Sequence, residues 1–530
     1  MSSPGGMLQQ VKLEKLLPSV ALLFLTAFYS PVFLLTLSPV FGSAPSHIFH
    51  GYGVAVSAAA GWFLKDVIHR LSGRRAVYLV PVLAFWVPTI QYFMFHQSSS
   101  FGNPTGPLII DIFTFYPLVL LSVACAGKLL QAGLNMSQHG DLMTEHIPLL
   151  GSYVIYSAGE YFSEAFISKF IGLTFFLSRG GLQLLIASLY SATIPSKWLV
   201  LAVPSILFSL TSNVHMPFGR TTAALNSAIQ VEGYELLARQ DSSTGLLGGQ
   251  WTKMPRNYHP EVKDPIYAVF AMLEAIRLIE TDHGEARVDA NSKALVIGLG
   301  VGTTPAALIT HGIETTIVEI DPVVHKFATE YFHLPSNHIA AIEDATVFVK
   351  RAQESPNPAQ YDYIVHDVFT GGAEPVELFT IEFIKGLYDL LKDDGVIAIN
   401  YAGDISLYPA ALTVRTIKTV FPSCRIFRED AAADAKFDFT NMVIFCKKSN
   451  TPLRFRDPVK ADFLGSKSRQ HYLVPKHEVD PAQFDKVEKG GRRVLVAKET
   501  GRLHKYQDRG AIAHWEIMRT VMPDAVWENW

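Results

Sequence analysis

The chain has 530 residues, of which 49% are hydrophobic and 18% are charged, and its formal net charge is −3 at pH 7. This length is enough for two or more domains, and the nearly neutral charge excludes the basic surface that is typical of nucleic-acid binding. The three cysteines, Cys125, Cys424 and Cys446, lie too far apart to form a metal-binding motif, so we predict no metal site. They also indicate no disulfide framework, which is typical of a reducing compartment.

Charged residues are scarce in the first 212 residues, which hold ten Lys and Arg and seven Asp and Glu, whereas the rest of the chain holds 35 and 41. Seven segments of this first part are apolar, and most of them approach the 20 or so residues that cross a bilayer. We therefore predict an all-α transmembrane helical bundle over residues 1–212, with the lipid bilayer as a partner. The segments lie near residues 17–41, 48–68, 76–96, 108–130, 147–167, 170–192 and 197–212.

Basic residues in the short loops predict the orientation of this bundle. Two lysines precede the first segment and three arginines lie between the second and the third, whereas residues 42–47 and 97–107 contain neither Lys nor Arg. Because cytosolic loops carry the excess of basic residues, the N-terminus is expected in the cytosol. An even number of crossings places the C-terminal part there as well, and we expect six or eight. Seven crossings would place it on the opposite side.

Three acidic residues, Asp111, Glu160 and Glu164, lie within the apolar segments. Carboxylates are costly in lipid, so they must face protein or water. We favour pairing within the bundle. The alternative is a transport path, which requires that the three side chains converge on one cavity.

A soluble part begins near residue 213. Residues 228–252 alternate between apolar and polar residues on both sides of a polar stretch, which predicts a small β-hairpin. Residues 264–279 predict an amphipathic helix, because Tyr267 and Phe270 begin a series of apolar residues at helical spacing. We assign residues 213–290 to this hairpin and lead-in helix.

The next segment has the pattern of a nucleotide-binding fold. An apolar run at residues 294–297 predicts a buried strand, and three glycines and a helical pattern follow it. A second apolar run, at residues 315–318, ends on Glu319. Glycines let the backbone turn tightly and approach a ligand, and an acid at this position accepts hydrogen bonds from a ribose diol. We therefore expect an adenosine-containing cofactor; the glycines are Gly298, Gly300 and Gly302.

Strands and helices continue to alternate up to about residue 450. One predicted strand precedes Asp344, another ends at Asp367, and a turn at residues 393–395 closes a helix. Alternation of this kind predicts an open, largely parallel, Rossmann-like α/β sheet over residues 291–450. Because ligands bind beyond the carboxyl ends of parallel strands, Glu319, Asp344 and Asp367 mark the expected site.

Residues 451–530 are more polar and include Trp515, Trp527 and Trp530. We predict a packed C-terminal extension without an assigned task. The alternative is that these tryptophans and the neighbouring basic residues touch a membrane surface.

Five segments in order, VIGLGVGTTPAAL, VEID, EDA, YDYIVHDVF and LLKDDGVIAIN, resemble the spermidine synthase family, whose members are Rossmann-like relatives of S-adenosylmethionine-dependent methyltransferases. The resemblance covers about residues 228–447. Together with the apolar N-terminal part, these segments make the chain similar to membrane-fused members of that family. Members of the spermidine synthase family are often dimers, so the resemblance implies a homodimer as an expectation.

The resemblance implies a role for each matching residue. Asp367 matches the family's catalytic acid, which accepts a proton from an amine that attacks the carbon next to a sulfonium, and Tyr267 matches a tyrosine near that amine. Gln250 is a weaker match to a substrate-binding glutamine. The cofactor would be held by Gly298, Gly300 and Gly302 at its ribose and tail, by Glu319 at the ribose hydroxyls, and by Asp344 and Ala345 at the adenine edge.

Two departures from the family pattern concern the substrate side of the site. Thr370 replaces the second aspartate of the Asp-x-x-Asp motif, and Pro265 replaces the acid of an upstream Asp-Glu-x-x-Tyr motif. Each loss removes a charge-assisted contact to a cationic amine, worth about 1.5–3 kcal/mol. Both departures weaken the case for a diamine substrate and leave the cofactor residues intact.

Structural interpretations of the same residues stay open. Asp344 also suits the N-terminal cap of the following helix, Asp367 an ordinary strand end, and Tyr267 a place in the core. His366, beside Asp367, is expected to face away from the site.

The resemblance predicts a membrane-anchored transferase that moves an aminopropyl group from decarboxylated S-adenosylmethionine to a small-molecule amine. One alternative is an S-adenosylmethionine-dependent methyltransferase with an unknown acceptor. Another is a polyamine or nucleoside sensor or transporter without chemistry.

Overall fold

The computed structural model describes residues 12–73, 75–134, 141–231, 233–242, 245–250, 260–265, 267–369, 374–431, 438–485 and 493–529. The chain forms two compact units. The helical unit comprises Met1–Thr252 and Trp515–Trp530, and the sheet unit comprises Lys253–His514. The domain boundaries predicted from the sequence stay predictions.

The helical unit is built from long apolar helices, whose backbone hydrogen bonds are satisfied within each helix. Short 3₁₀ helices at Phe175–Leu177 and Lys197–Ala202 and a β-hairpin complete the described part. The helices are α1 (Leu13–Phe41), α2 (Ser43–Ser72), α3 (Arg75–Phe95), α4 (Ser98–Phe101), α5 (Thr105–Phe113), α6 (Phe115–Leu134), α7 (Asp141–Phe170), α8 (Arg179–Thr193), α9 (Val203–Thr211) and α10 (Gly219–Gln230), and the hairpin strands are β1 (Leu236–Ser242) and β2 (Gly245–Gln250).

Three of these helices are long and apolar enough to cross a membrane by length and composition: Leu13–Phe41, Arg75–Phe95 and Phe115–Gly133. A shorter apolar helical stretch covers Lys197–Thr211. Helices lie in all seven predicted segments, but the fourth is broken at Thr114, between α5 and α6, and in the sixth the α-helix begins only at Arg179. The number of membrane crossings therefore stays a prediction.

Two of the three acids in the apolar segments join one polar network. The Asp111 carboxylate lies 3.1 Å from Nδ1 of His50, and Nε2 of the same ring lies 2.9 Å from the hydroxyl of Ser30. That hydroxyl lies 3.4 Å from the Glu160 carboxylate, whereas Glu164 is exposed. The prediction that these acids pair within the bundle is confirmed for Asp111 and Glu160.

The predicted hairpin is present, with β1 and β2 paired antiparallel. Its strands occupy only part of the predicted range, because α10 extends to Gln230 and takes the residues that precede the hairpin.

The sheet unit contains one eight-stranded sheet with helices on both faces. Its shorter 3₁₀ helices are Glu274–Leu278, Asp289–Asn291, Val376–Phe379, Lys460–Phe463, Pro481–Phe484 and Ala497–Arg502. The strands are β3 (Lys293–Ile297), β4 (Glu314–Glu319), β5 (Ile339–Ile342), β6 (Tyr361–His366), β7 (Leu391–Asp404), β8 (Ser423–Arg428), β9 (Phe439–Lys447) and β10 (His477–Val479). The helices are α11 (Ala268–Leu273), α12 (Thr303–Thr310), α13 (Pro322–Tyr331), α14 (Ala345–Gln353), α15 (Ile381–Leu390), α16 (Tyr408–Val420) and α17 (Lys467–Tyr472). Helix α18 (His504–Val521) begins in this unit and ends in the helical unit, where α19 (Asp524–Glu528) follows.

The strand order is β10-β8-β9-β7-β6-β3-β4-β5. The four pairings between β7 and β5 are parallel, and the three between β7 and β10 are antiparallel. The apolar run of β3 is continuous because both faces of the sheet are covered: Leu295 and Ile297 pack into one cluster, and Ala294 and Val296 into another. The predicted α/β sheet is confirmed, and its antiparallel edge makes it mixed.

Several predicted elements differ from the structure. The lead-in helix covers only Ala268–Leu273 before it tightens into the 3₁₀ helix Glu274–Leu278, so the prediction of one helix over residues 264–279 is wrong. The predicted turn at residues 393–395 lies inside the long strand β7, near an irregularity in its pairing with β6. Helix α13 and strands β8 and β10 were not predicted.

Cys424 and Cys446 form a disulfide. They are direct partners in the antiparallel pairing of β8 and β9, which brings together two residues 22 apart in sequence. The prediction of cysteines without a disulfide is therefore wrong, because strand pairing, which sequence spacing alone does not reveal, places the two thiols opposite each other.

Candidate active site

The glycine loop after β3 adopts backbone conformations that favour glycine. Gly298, Gly300 and Gly302 have φ values of +86°, +53° and +82°, in the left-handed region. A Cβ on Gly298 would lie 2.2 Å from the backbone oxygen of Asp367, whereas a Cβ on Gly300 would meet nothing within 4 Å. The loop is thus closed against β6 at its first glycine and open at its second, which leaves room for a ligand to approach the backbone.

Glu319 fastens this loop to the end of β4. Its carboxylate accepts hydrogen bonds from the backbone N–H of Leu299 at 3.0 Å and of Asp321 at 2.9 Å. Burial raises the pKa of Glu319, and these backbone hydrogen bonds partly offset that rise. A carboxylate has about four lone-pair sites, so both oxygens retain acceptor capacity for a diol.

Asp344 follows β5 and caps α14. Its Oδ1 accepts hydrogen bonds from the backbone N–H of Thr346 at 2.7 Å and of Val347 at 3.4 Å. The capping interpretation is therefore confirmed, and it fixes the position of Ala345 as the first residue of the helix. Contact of either residue with an adenine stays a prediction.

Asp367 lies directly after β6, where its backbone N–H donates to the carbonyl of Ile297 at 2.9 Å. Its carboxylate is partly buried and accepts a hydrogen bond from Nδ2 of Asn400, on β7, at 3.0 Å. Burial raises the pKa of Asp367 from 3.8 to about 6, although the hydrogen bond from Asn400 lowers it. A carboxyl group with this pKa can accept a proton near neutral pH.

The glycine loop and the three acids lie at the carboxyl ends of four neighbouring strands, in the order Asp367 (β6), glycine loop (β3), Glu319 (β4) and Asp344 (β5). The sequence predicted this arrangement, because parallel strands end at the same edge of a sheet.

Tyr267 is less clearly part of this group. It precedes α11 and is partly buried, with its ring 5.8 Å from that of Phe270. Burial raises the pKa of its hydroxyl, and the nearby charge of Glu429 raises it further. Among the described residues, the side-chain hydrogen bond of Asp367 comes from Asn400 and not from Tyr267. The side chain of Gln250 and the whole of Thr370 lie outside the described part of the chain.

His366 is fully buried on the opposite side of the β6 strand end. Its Nε2 lies 3.1 Å from the carbonyl oxygen of Leu378, and its ring packs between Phe379 and Phe383. Burial lowers the pKa of His366 to about 4. The side chain is part of the core, in agreement with the expectation that it faces away from the site.

Two residues near Asp367 were missed from the sequence. Asn400 is 6% exposed, and its Oδ1 is buried without a hydrogen-bond partner among the described residues. Glu374 accepts a hydrogen bond from the backbone N–H of Ala402, and burial raises the pKa of its carboxyl well above the usual range, with Asp367 adding to that rise. An isolated polar residue inside the apolar run 396–403 was the available signal for Asn400.

A mostly apolar cavity adjoins this group beyond the end of β7. Its empty volume is about 590 Å³, and its walls come from β7, β9, α16 and the C-terminal segment. Among its lining residues are Glu374, Tyr401, Asp404, Phe439, Tyr506 and Gly510. Residues beyond 451, which had no predicted task, thus form one wall of a cavity that Glu374 also lines.

Comparisons with known proteins give several matches that cover only part of the chain. Residues 281–428 match the family model "Spermine/spermidine synthase domain". A polyamine aminopropyltransferase of Vibrio vulnificus is 36% identical over 142 residues, which cover 26% of this chain and 47% of that protein. A probable spermidine synthase from Corynebacterium glutamicum, a solved structure, is 17% identical with a TM-score of 0.35, and the match covers 48% of this chain and 88% of that one.

A much longer match decides the family. An N-terminal histidine N-methyltransferase of Emericella nidulans is 65% identical over 545 aligned residues, which cover 98% of each chain. The chain belongs to the family of that N-methyltransferase. The protein is therefore a transferase whose relatives include S-adenosylmethionine-dependent enzymes, with a spermidine-synthase-like domain in its C-terminal half.

This membership corrects the main functional prediction. Aminopropyl transfer is wrong, because the methyltransferase matches the whole chain whereas the aminopropyltransferase of Vibrio vulnificus matches about a quarter of it. S-adenosylmethionine is the supported cofactor, and neither its decarboxylated form nor a place in polyamine biosynthesis is supported. The methyltransferase alternative is the better interpretation of the same residues.

Proposed function

We propose that the protein transfers a methyl group from S-adenosylmethionine to a ring nitrogen of a histidine at the N-terminus of a peptide or protein. The observation that carries this proposal is the 65% identity, over 98% of both chains, to an N-terminal histidine N-methyltransferase. At this identity and coverage, a shared acceptor class is the simplest expectation.

The cofactor residues proposed are those at the carboxyl ends of β3, β4 and β5. The loop that contains Gly300 would approach the cofactor, because its backbone there faces open space. Glu319 would accept hydrogen bonds from the ribose hydroxyls, and Asp344 with Ala345 would lie at the adenine edge. When bound, S-adenosylmethionine supplies a methyl group on a sulfonium, which is an excellent leaving group.

Asp367 would orient the acceptor and take its proton. A neutral imidazole has one N–H and one lone pair, and the hydrogen bond made by the N–H determines which nitrogen presents the lone pair. If the Asp367 carboxylate accepts that hydrogen bond, the opposite nitrogen faces the methyl group. A nitrogen–carbon bond then forms as the sulfur–carbon bond breaks, the positive charge passes to the ring, and the N–H proton moves to Asp367.

This acceptor accounts for the two acids that are absent from the polyamine pattern. A cationic diamine needs several carboxylates, whereas a neutral imidazole needs one hydrogen-bond acceptor and apolar walls. Thr370 and Pro265, in place of acids, therefore suit an aromatic acceptor. The cavity that Glu374 lines, with Tyr401 and Phe439 among its walls, is the proposed site for the histidine.

Recognition of a chain terminus also requires a partner for the α-ammonium group. Glu374 and Asp404 line the same cavity, and we assign this role to them. An acetylated terminus has no such charge, so it would lose this contact and be a poor acceptor.

We further propose that the helical unit anchors the enzyme in a membrane. The three long apolar helices support this proposal by length and composition. The disulfide between Cys424 and Cys446 is typical of an oxidising compartment, which disfavours the predicted cytosolic location of the catalytic part. An odd number of crossings would place this part on the non-cytosolic side, as the disulfide requires.

The test is a panel of peptides offered to the detergent-purified full chain with S-adenosylmethionine, with products identified by mass spectrometry. A peptide that begins with histidine should gain one methyl group on its first residue. The same peptide with an acetylated N-terminus, or with one glycine placed before the histidine, should react at least tenfold more slowly. Equal methylation of all three peptides would contradict recognition of the terminus.

A further inference from the structure

The helical unit contains a small polar cavity that the methyl-transfer chemistry does not use. Its empty volume is about 290 Å³, and helices α1, α3 and α8 and the segment after α9 contribute to its walls. Its polar lining residues are Thr36, Gln91, Arg179, Gln183, Asn213 and His215.

Arg179 is a buried cation in this lining, with 5% of its surface exposed. Its Nε donates to Oδ1 of Asp241 at 2.7 Å, and its backbone N–H donates to Oδ2 at 2.9 Å. A guanidinium has five N–H donors, and the two terminal amino groups of Arg179 donate to no other described residue. Asp241 therefore satisfies both the first N–H of α8 and one edge of the guanidinium, and leaves the other edge available.

A second arginine leaves the region with an excess of positive charge. Arg239 is partly buried, and it donates to the carbonyl oxygens of Val214 and Met216, on either side of the lining residue His215. Burial lowers the pKa of Arg239 to about 10, and the charge of Arg179 lowers it further. Within the part of the chain that the structure describes, no carboxylate lies within ion-pair distance of Arg239, so two guanidinium groups share one nearby carboxylate, Asp241.

The fold adds two further attractions for an anion. The lining residue Gly180 lies in the first turn of α8, where the helix dipole is positive and backbone N–H groups lack acceptors within the helix. The amide groups of Gln183 and Gln91 are held in place by a hydrogen-bond chain, Gln183 to Gln91 at 2.7 Å and Gln91 to Thr36 at 2.9 Å. Fixed donors around two guanidinium groups that share one carboxylate are the features of a site for an oxyanion.

We propose that this cavity, which we call the Arg179 cavity, binds a phosphate group. Arginine binds phosphate through two parallel N–H donors. The group belongs either to the headgroup of an acidic lipid or to free phosphate. Its binding would compensate the buried positive charge and stabilise the junction between α8 and the β1–β2 hairpin that carries Asp241 and Arg239.

Native mass spectrometry of the delipidated full chain tests this proposal. The protein is titrated with inorganic phosphate, with phosphatidic acid in mixed micelles, and with diacylglycerol of the same chains, which lacks the phosphate. We expect one saturable adduct with a phosphate-bearing probe and none with diacylglycerol. Saturation by inorganic phosphate identifies a free anion, and saturation by phosphatidic acid alone identifies a lipid headgroup. Failure of both probes to bind overturns the proposal.

Two variants locate the adduct, so that misfolding of one leaves the other informative. Gln183→Glu places a negative charge in the lining without breaking the Arg179–Asp241 pair and should reduce affinity at least tenfold. Arg239→Gln removes the excess charge and should have a similar effect. Arg220→Gln is the matched control, because Arg220 is exposed on α10, and it should bind as the parent does. An equal loss with Arg220→Gln would indicate non-specific surface attraction and overturn the assignment.

Discussion

Burial of the Asp367 carboxyl group disfavours its charged form and gives the group a pKa that suits proton transfer. Its carboxyl group is partly buried at the end of β6, and one described side chain, Asn400, donates a hydrogen bond to it. Incomplete compensation of this kind raises the pKa to about 6, and such perturbed groups concentrate at functional sites. The proton-accepting role proposed for Asp367 depends on this balance.

The variant Asp367→Asn should lower the rate of methyl transfer at least a hundredfold, because general-base catalysis contributes about 10²–10⁴. The dissociation constant for S-adenosylmethionine should stay within a few fold, since the cofactor residues are unchanged. Asp393→Asn, on an exposed residue of β7, is the matched control and should behave as the parent does. Full activity of Asp367→Asn in single-turnover assays would refute the assignment.

The same variant should be more stable than the parent above pH 6. A folded-state pKa raised from 3.8 to about 6 means that the folded protein binds this proton more tightly than the unfolded chain does. The free energy of unfolding of the parent therefore falls as pH rises through this range. The shift of about two units corresponds to at most about 3 kcal/mol. In denaturant unfolding, the free energy of unfolding of Asp367→Asn should exceed that of the parent at pH 7.5, and the difference should be small at pH 4. A parent that is more stable than Asp367→Asn at pH 7.5 contradicts this.

The sequence predicted the acids at three strand ends but not their partners. Glu319, Asp344 and Asp367 follow apolar runs, so the strand pattern locates them. Asn400 donates a hydrogen bond to the Asp367 carboxylate, and the charge of Asp367 acts on Glu374; only the assembled sheet shows these relations. The two were therefore missed, although an isolated asparagine within an apolar strand is a usable signal.

At the level of elements, the first two glycines of the glycine loop differ in the space around them. A Cβ at Gly298 would collide with the backbone oxygen of Asp367, whereas one at Gly300 would enter open space. Both positions have positive φ, so an alanine at either carries a comparable backbone strain of about 1 kcal/mol.

Gly298→Ala should therefore be much more damaging to the folded protein than Gly300→Ala. We expect the first to lower the thermal unfolding midpoint strongly and to abolish methyl transfer, since β3 and β6 must separate. The second should fold and lose affinity for S-adenosylmethionine, because its methyl group would occupy the space where the cofactor approaches. Equal midpoints for the two variants, measured by calorimetry without cofactor, would show that the collision is not what requires glycine.

Elements with strong periodicity were predicted well, and those held by tertiary contacts were not. Strands β3, β4 and β6 have long apolar runs that any two-sided sheet requires. The helix expected over residues 264–279 tightens after Leu273, where Glu274 is buried in a salt bridge with Arg469. That partner lies 195 residues away, so local pattern contains no information about it.

At the level of the whole molecule, two kinds of sequence are joined in one chain. The change in charge density predicted this division, and the structure has a helical unit and a sheet unit. The reaction was predicted wrongly because the recognised motifs are assigned to the cofactor side, which aminopropyl and methyl transfer share. The proposed acceptor site combines separate segments, including residues between 495 and 511 that line the same cavity as Glu374.

The compartment illustrates the same limit. Sparse, distant cysteines indicated a reducing environment, but the pairing of β8 and β9 brings Cys424 and Cys446 together. This disulfide is the observation that supports the proposed non-cytosolic location of the sheet unit.

The central claim is methyl transfer to an N-terminal histidine, and a direct competition tests it. The detergent-purified full chain is incubated with a peptide that begins with histidine and with equal concentrations of S-adenosylmethionine and its decarboxylated form. The mass of the intact peptide is then measured by mass spectrometry. We predict that the first residue gains the mass of one methyl group and that no aminopropyl product forms. A peptide that gains an aminopropyl group, or that stays unmodified while the protein binds cofactor, would contradict the account.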